Sequence, residues 1–182
     1  MSDLRTLPRK LDIDSISEIL AGEDTQLKLE ALAELEFQLP DWHIVPVPVI
    51  LAGICDADAD VRVSTFDLLR YMPDRLSQGD LLSVLRLIED CGDEVRRQIV
   101  EEVSTFARCI ESNTLKDVLP YLWHRNGDVR DTAVQVFTEL SHRFTPEMFL
   151  QVAEEFSHEN MNVRESIAEF LERNGQSELI NV

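Results

Sequence analysis

The chain has 182 residues and a formal net charge of −18, from 17 basic and 35 acidic side chains. Its hydrophobic fraction of 44% is ordinary for a folded protein. A charge this negative repels phosphate backbones and anionic membrane surfaces, and it attracts basic proteins. We therefore expect neither a nucleic-acid partner nor a membrane protein.

The cellular location is predicted from the opening residues and the cysteines. The opening, MSDLRTLPRK, has no apolar run of the length that a signal peptide needs, and no later run has membrane-spanning length. Cys55, Cys91 and Cys109 form no CxxC pair and leave an odd count. These features favour a cytoplasmic protein whose thiols are reduced.

One short turn recurs along the chain at an interval of 34 residues. It reads DADVR up to Arg62, GDEVR up to Arg96, NGDVR up to Arg130 and NMNVR up to Arg164, and Lys28 extends the series backwards. Apolar residues recur one before and three, four and seven after each base, with Thr65 as the exception. Others recur 15, 12 and 8 before it. Both spacings are those of amphipathic helices, so each copy predicts two helices, A and B, joined by the turn.

Residues that start helices recur in the same register. Residue types found at helix N-caps stand four positions before each base, at Asp24, Asp58, Gly92, Asn126 and Asn160. Thr145 before Pro146 predicts the start of the last A helix, and Ser77 with Asp80 resembles a capping box. The pattern predicts helical hairpins that begin near residues 12, 45, 78, 113 and 146.

The Asp-rich turn followed by Val–Arg, with a small or apolar residue three positions on, resembles the HEAT-repeat family. Tetratricopeptide repeats share the length, but their small-residue positions and their Trp–Leu–Gly–Tyr helix are absent. The resemblance implies an all-α, right-handed α-solenoid of five HEAT-like helical hairpins with a 34-residue period. The expected organisation is a basic N-terminal arm at 1–11, a repeat domain at 12–175 with repeats at about 12–41, 42–75, 76–109, 110–143 and 144–175, and a C-terminal tail at 176–182.

In HEAT repeats, an Asp near the end of helix A and the Arg at the start of helix B form a ladder between neighbouring units. The matching acids here are Asp56 and Asp90, whereas His124 and His158 stand at that position in the last two repeats. The resemblance therefore implies an incomplete ladder, in which a structural role is better supported for the arginines of the second and third repeats than for the last two.

The two histidines raise the question of a metal site. His124 and His158 belong to adjacent repeats, so their turns are expected about 10 Å apart. A metal would also need a nearby acid, such as Asp128 or Glu159. Since a histidine near a helix C-terminus is favoured by the helix dipole alone, and no HxxxH or His/Cys cluster occurs, we expect no metal ligand.

Catalytic motifs are missing from the sequence. It has no glycine-rich phosphate loop, nucleophile elbow or HExxH. Adjacent acids such as Glu101–Glu102 and Glu154–Glu155 point in different directions on a helix. We expect no catalytic residue and no cofactor. Some HEAT-like proteins are DNA glycosylases or bilin lyases, so the resemblance leaves such an enzyme as one alternative, and a structural subunit of a larger assembly as another.

Acidic residues mark the candidate binding surface. The B helices of a HEAT-type solenoid line its concave side, and acids lie off their buried stripe. They predict a continuous acidic surface, although five separately solvated helix faces would give the same pattern. Trp123 is expected to be partly exposed, either as a binding hot spot or packed over a neighbouring repeat. The candidate partner-binding residues are Glu30, Glu34, Asp67, Glu101, Glu102, Asp131, Glu139, Glu165, Glu169 and Trp123.

The sequence thus predicts a monomeric, non-enzymatic protein-interaction scaffold. Its expected partner is a basic protein or peptide that binds the acidic concave surface. An adaptor fits this description, and so does an inhibitor or immunity protein that neutralises a basic toxin or nuclease by charge complementarity.

Overall fold

The computed structural model describes residues 12–38, 47–72, 75–107 and 109–181. These ranges contain ten α-helices and no β-strand, which confirms the all-α class. No described helix combines the length and the apolar character that crossing a bilayer requires. The basic arm predicted at 1–11 lies outside the described residues.

The chain divides after Arg75 into two compact units. In unit 1, Met1–Arg75, the described helices are α1 (Ile13–Ala21), α2 (Thr25–Gln38), α3 (Val47–Leu51), which continues as a 3₁₀ segment at Ala52–Cys55, and α4 (Ala59–Arg70). Their core contains Ile16, Leu32, Ile50, Ile54 and Phe66, all buried. These residues come from the stripes that the 34-residue alignment predicts.

Unit 2, Leu76–Val182, contains six α-helices in its described part. They are α5 (Gln78–Asp90), α6 (Asp93–Phe106), α7 (Ser112–Lys116), α8 (Gly127–Glu139), α9 (Pro146–Glu154) and α10 (Met161–Arg173). Short 3₁₀ segments lie at Leu119–Trp123, Ser141–Arg143, Glu155–Ser157 and Ser177–Asn181. The last of them lies within the stretch that was predicted as a tail.

The helices start where the capping residues predict. Those expected near residues 12, 45, 78, 113 and 146 begin at Ile13, Val47, Gln78, Ser112 and Pro146. Their arrangement as a five-hairpin solenoid stays a prediction.

Side-chain caps hold several of these starts. Asp58 and Asn126 each accept an amide hydrogen bond at the start of α4 and α8. Ser77 and Asp80 form the predicted capping box of α5. Such caps satisfy first-turn amides that have no partner within the helix.

A cluster of phenylalanines forms part of the core of unit 2. The ring of Phe144 lies 5.9 Å from Phe137, 5.2 Å from Phe149 and 5.3 Å from Phe170, centroid to centroid. Phe137 and Phe170 are fully buried. Tilted rings at these separations add to the stabilisation from area burial alone.

The prediction of reduced thiols holds only in part. Cys109 is not part of a disulfide, as expected. Cys55 and Cys91 are not free, so the prediction is wrong for these two. Neither the odd number of cysteines nor the absence of a CxxC pair shows which cysteines are free in the folded protein. The cysteines therefore no longer support a cytoplasmic location.

Candidate functional site

The arginine of the repeated turn closes the helix that precedes it. Arg62 donates from Nη1 to the carbonyl oxygens of the residues six and five positions earlier, at 2.9 and 3.0 Å. Arg130 does the same at 2.7 and 3.2 Å, and Arg164 at 2.7 and 3.0 Å. Arg96 reaches the carbonyl five positions earlier, at 2.5 Å. The last carbonyls of a helix have no partner within it, so each arginine supplies donors that the turn lacks.

Arg130 and Arg164, for which the resemblance gave less support for a structural role, make the same carbonyl bonds as Arg62. Their carbonyl bonds do not depend on an acidic ladder partner. Arg130 also donates from Nε to the hydroxyl oxygen of Ser166, at 3.2 Å. The arginine of the turn therefore has a structural role wherever it occurs.

The position six residues before the base has a shared role as well. Asp56 accepts the amide hydrogen two residues on through Oδ1, at 2.9 Å. His124 and His158 accept the equivalent amide through Nδ1, at 3.2 and 3.1 Å. A neutral imidazole that accepts at Nδ1 carries its proton on Nε2. Histidine can replace aspartate here because both side chains offer an acceptor to the turn.

A carboxylate lies near the ring of His124. Nε2 of His124 lies 3.3 Å from Oε1 of Glu89. Within the described ranges, no group of three His, Cys, Asp or Glu side chains is placed to hold a metal ion.

One rung of the expected ladder is present in unit 1. Lys28, the first base of the series, places Nζ 2.6 Å from Oδ2 of Asp56, and both side chains are about nine-tenths buried. Burial acts to raise the pKa of Asp56, but the hydrogen bond from Lys28, the amide of Asp58 and the charges of Lys28 and Arg62 outweigh it and lower the pKa. The side chain of Asp90, the other expected acid, lies outside the described part.

The lowered pKa of Asp56 predicts a stability change in acid. A carboxyl whose pKa is lower in the folded state stabilises the fold above its unfolded pKa of about 3.9, and this contribution is lost as the pH falls through the folded pKa. We expect Asp56→Asn to unfold at lower urea than wild type at pH 7. The difference in urea midpoint between variant and wild type should shrink as the pH falls below about 4. Glu18, which is exposed and also lies in unit 1, provides the control: Glu18→Gln should differ little from wild type at every pH. A difference for Asp56→Asn that stayed constant from pH 7 to pH 2.5 would contradict this account.

The predicted partner-binding residues differ in exposure. Glu30, Glu101, Asp131, Glu139, Glu165 and Glu169 are exposed, whereas Glu34, Asp67 and Trp123 are half-buried. Glu102 is buried, with 8% of its surface accessible, so its assignment to the binding surface is wrong. It lies three residues after Ile99 and four before Phe106, which places all three on one helix face. The buried stripe of α6 is therefore wider than the repeat alignment predicts.

A cleft of about 440 Å³ between α6 and α8 brings two predicted residues together, Glu101 and Asp131. Its lining consists of Asp93, Arg96, Arg97, Val100, Glu101, Asp128, Asp131, Thr132 and Gln135. Four of these nine are acids and two are bases, so the cleft is acidic overall. None of Trp123, His124 and His158 lines it.

Sequence reasoning missed three of the charged lining residues. Asp93 and Asp128 lie in the first turns of α6 and α8, and first-turn acids, which favour the positive helix end, were the available signal. Arg97 is the third, and it pairs with Glu94 and, at 2.7 Å, with Glu101. Its place three residues after one acid and four before another was visible in the sequence as a helical ion-pair pattern.

Ion pairs offset part of the acidic surface. Asp67 pairs with Arg70, and Glu169 pairs with Arg173 at 2.6 Å. Among the described residues, Asp131, Glu139 and Glu165 have no such partner. In the described part of the chain, the exposed candidate acids without an ion pair are therefore Glu30 of α2, Asp131 and Glu139 of α8, and Glu165 of α10.

Comparison with known proteins identifies no relative of this chain. No protein-family model, no curated protein and no solved structure matches the chain. The likeness to HEAT repeats therefore depends on the repeated turn alone, and function has to be argued from the acidic cleft.

Proposed function

We propose that the chain is a non-enzymatic binding protein that receives a basic protein or peptide on the acidic faces of its B helices, namely α2, α4, α6, α8 and α10. The observation that carries the proposal is the cleft in which Glu101 of α6 and Asp128 and Asp131 of α8 lie together. Clustered carboxylates on a chain of net charge −18 attract cationic groups and steer their approach.

The fold that we propose for this role is a right-handed solenoid of five HEAT-like hairpins. The capping residues and the arginine–carbonyl bonds that recur with the 34-residue interval support it. Repeat folds of this kind present extended surfaces to partners. An adaptor and an inhibitor or immunity protein are both included, because each needs the same charge complementarity. A monomer in the cytoplasm is the form that we propose for either.

The test reverses charge at the cleft while leaving the core intact. Glu101 and Asp131 are both exposed, so Glu101→Lys with Asp131→Lys should leave the protein folded. Glu102 is unsuitable because a lysine there would be buried. The matched control is Glu154→Lys with Glu172→Lys, two exposed acids that do not line the cleft. Both variants change the net charge by the same amount.

A labelled peptide of alternating lysine and alanine serves as the probe, and association is followed by stopped-flow fluorescence. We expect the cleft variant to associate about tenfold more slowly than wild type, because steering by local charge is lost. The control should change the rate much less. Wild-type binding should also weaken between about 0.05 and 0.5 M salt, where the screening length shrinks severalfold. Binding that ignores salt, or equal slowing in both variants, would contradict the acidic-cleft proposal.

A further inference from the structure

Two large aromatic side chains are exposed in unit 1. Phe37, near the end of α2, has 82% of its surface accessible, and Tyr71, directly after α4, has 70%. A single exposed apolar residue needs no explanation, because much of any protein surface is apolar. Two exposed aromatic rings at the same position of the 34-residue pattern indicate a shared surface feature. The equivalent residues in unit 2 are Thr105, Glu139 and Arg173, so the feature is confined to unit 1.

The fold brings the two rings to neighbouring helices. α2 packs against α4, and packed helices lie about 8–10 Å apart. Phe37 and Tyr71 are nine residues past Lys28 and Arg62, so they occupy corresponding points on the two helices.

Each ring also follows a carboxylate by about one helical turn. Glu34 lies three residues before Phe37, and Asp67 lies four residues before Tyr71, spacings that place side chains on the same helix face. Glu34 accepts a hydrogen bond from Nε2 of Gln38 at 2.5 Å, and Asp67 pairs with Arg70. These local bonds orient the carboxylates, and each carboxylate has acceptor capacity beyond one bond.

A ring beside a carboxylate fits the chemistry of arginine. The planar guanidinium stacks on an aromatic face and at the same time donates hydrogen bonds to a carboxylate in its plane. The lysine ammonium is a compact, strongly hydrated charge that cannot do both equally well. The aromatic residues that dominate binding energy at interfaces act in the same way, as anchors surrounded by polar groups.

We propose that Phe37 and Tyr71, with Glu34 and Asp67, form an arginine-binding surface for the basic partner protein. This inference rests on the proposed function in taking the partner to be basic. It adds that arginine rather than lysine is the side chain recognised in unit 1. It also places that recognition on residues other than those of the cleft in unit 2.

The test compares two labelled peptides of equal length and charge, one with arginine and one with lysine at alternating positions. Fluorescence anisotropy gives their affinities for wild type and for Phe37→Ala with Tyr71→Ala. Wild type should bind the arginine peptide at least fivefold more tightly, since stacking adds to charge. The aromatic double variant should lose about tenfold in affinity for that peptide and lose the preference. Leu150→Ala with Met161→Ala, which removes two exposed apolar residues of unit 2, is the matched control and should behave as wild type.

The outcomes separate this inference from the proposed function. If Glu101→Lys with Asp131→Lys associates more slowly with both peptides but keeps the preference for arginine, both proposals are supported. Slowing without any preference in wild type overturns the arginine surface alone. Equal affinity of wild type and the aromatic double variant also overturns it. So does a wild-type dimer, seen by analytical ultracentrifugation, that the aromatic double variant abolishes, because the occupant would then be a second copy of the chain.

Discussion

Phe137→Ala should cost the protein about 3–5 kcal/mol of its free energy of unfolding. The side chain of Phe137 is fully buried in α8 and lies in the phenylalanine cluster, 5.9 Å from the ring of Phe144. Truncation removes most of a large apolar side chain and leaves a cavity that the neighbouring rings cannot fill without leaving their own positions. A loss of this size is a large fraction of the stability of an ordinary domain.

The measurement is urea unfolding, followed by the fluorescence of Trp123 in a Trp42→Phe background, so that the signal reports on unit 2. Glu139→Ala is the matched control, since Glu139 is exposed on the same helix and has no ion-pair partner in the described part of the chain. It should lie within about 0.5 kcal/mol of the parent. A loss below about 1 kcal/mol for Phe137→Ala would show that the cluster does not hold unit 2 together.

Much of the local structure was predictable because it is determined within a few residues. N-caps such as Asp58 and Asn126 act on amides two or three positions away, and the apolar stripes follow from helical spacing alone. These features require no knowledge of how the helices pack. The positions of helix starts therefore followed from the sequence, whereas the arrangement of the helices did not.

The errors arise where a residue's environment comes from packing. Glu102 looks like a surface acid beside Glu101, yet it is buried, because the packed face of α6 is wider than the aligned apolar positions. Whether Cys55 and Cys91 are free thiols depends on which groups the fold places near them, and spacing in the sequence does not show this. In the candidate site, Glu101 and Asp131 were identified correctly as exposed acids. Their sharing of one cleft with Arg97 follows only from the packing of α6 against α8.

The repeated turn shows how a residue pattern can be identified correctly while its role is assigned incompletely. The ladder expectation made the role of each arginine depend on an acid in a neighbouring repeat. At Arg62, Arg130 and Arg164 the structure shows bonds within the turn, from the guanidinium to the carbonyl oxygens five and six residues earlier. His124 then appears at the Asp position without weakening the turn, because its Nδ1 accepts the same amide as a carboxylate does.

The second large loss of stability is expected for substitution of Arg130. Its side chain is buried, with 6% of its surface accessible, and it donates to the carbonyl oxygens of His124 and Arg125 and to the hydroxyl of Ser166. Arg130→Met keeps much of the aliphatic volume and removes all three bonds. Each buried polar group left without a partner costs about 1–3 kcal/mol, but the two carbonyl bonds are only partly buried, so water can satisfy these oxygens in part. We therefore expect a total loss of about 2–4 kcal/mol.

Two further substitutions make the result decisive. Arg125→Met removes the same charge from an exposed side chain and should lie within about 0.5 kcal/mol of wild type. Arg164→Met removes two equivalent carbonyl bonds at a half-buried position and should fall between the other two. Urea unfolding of the three variants, in the same tryptophan background, gives the order. If Arg130→Met were as stable as Arg125→Met, the carbonyl bonds would not explain why the turn is repeated.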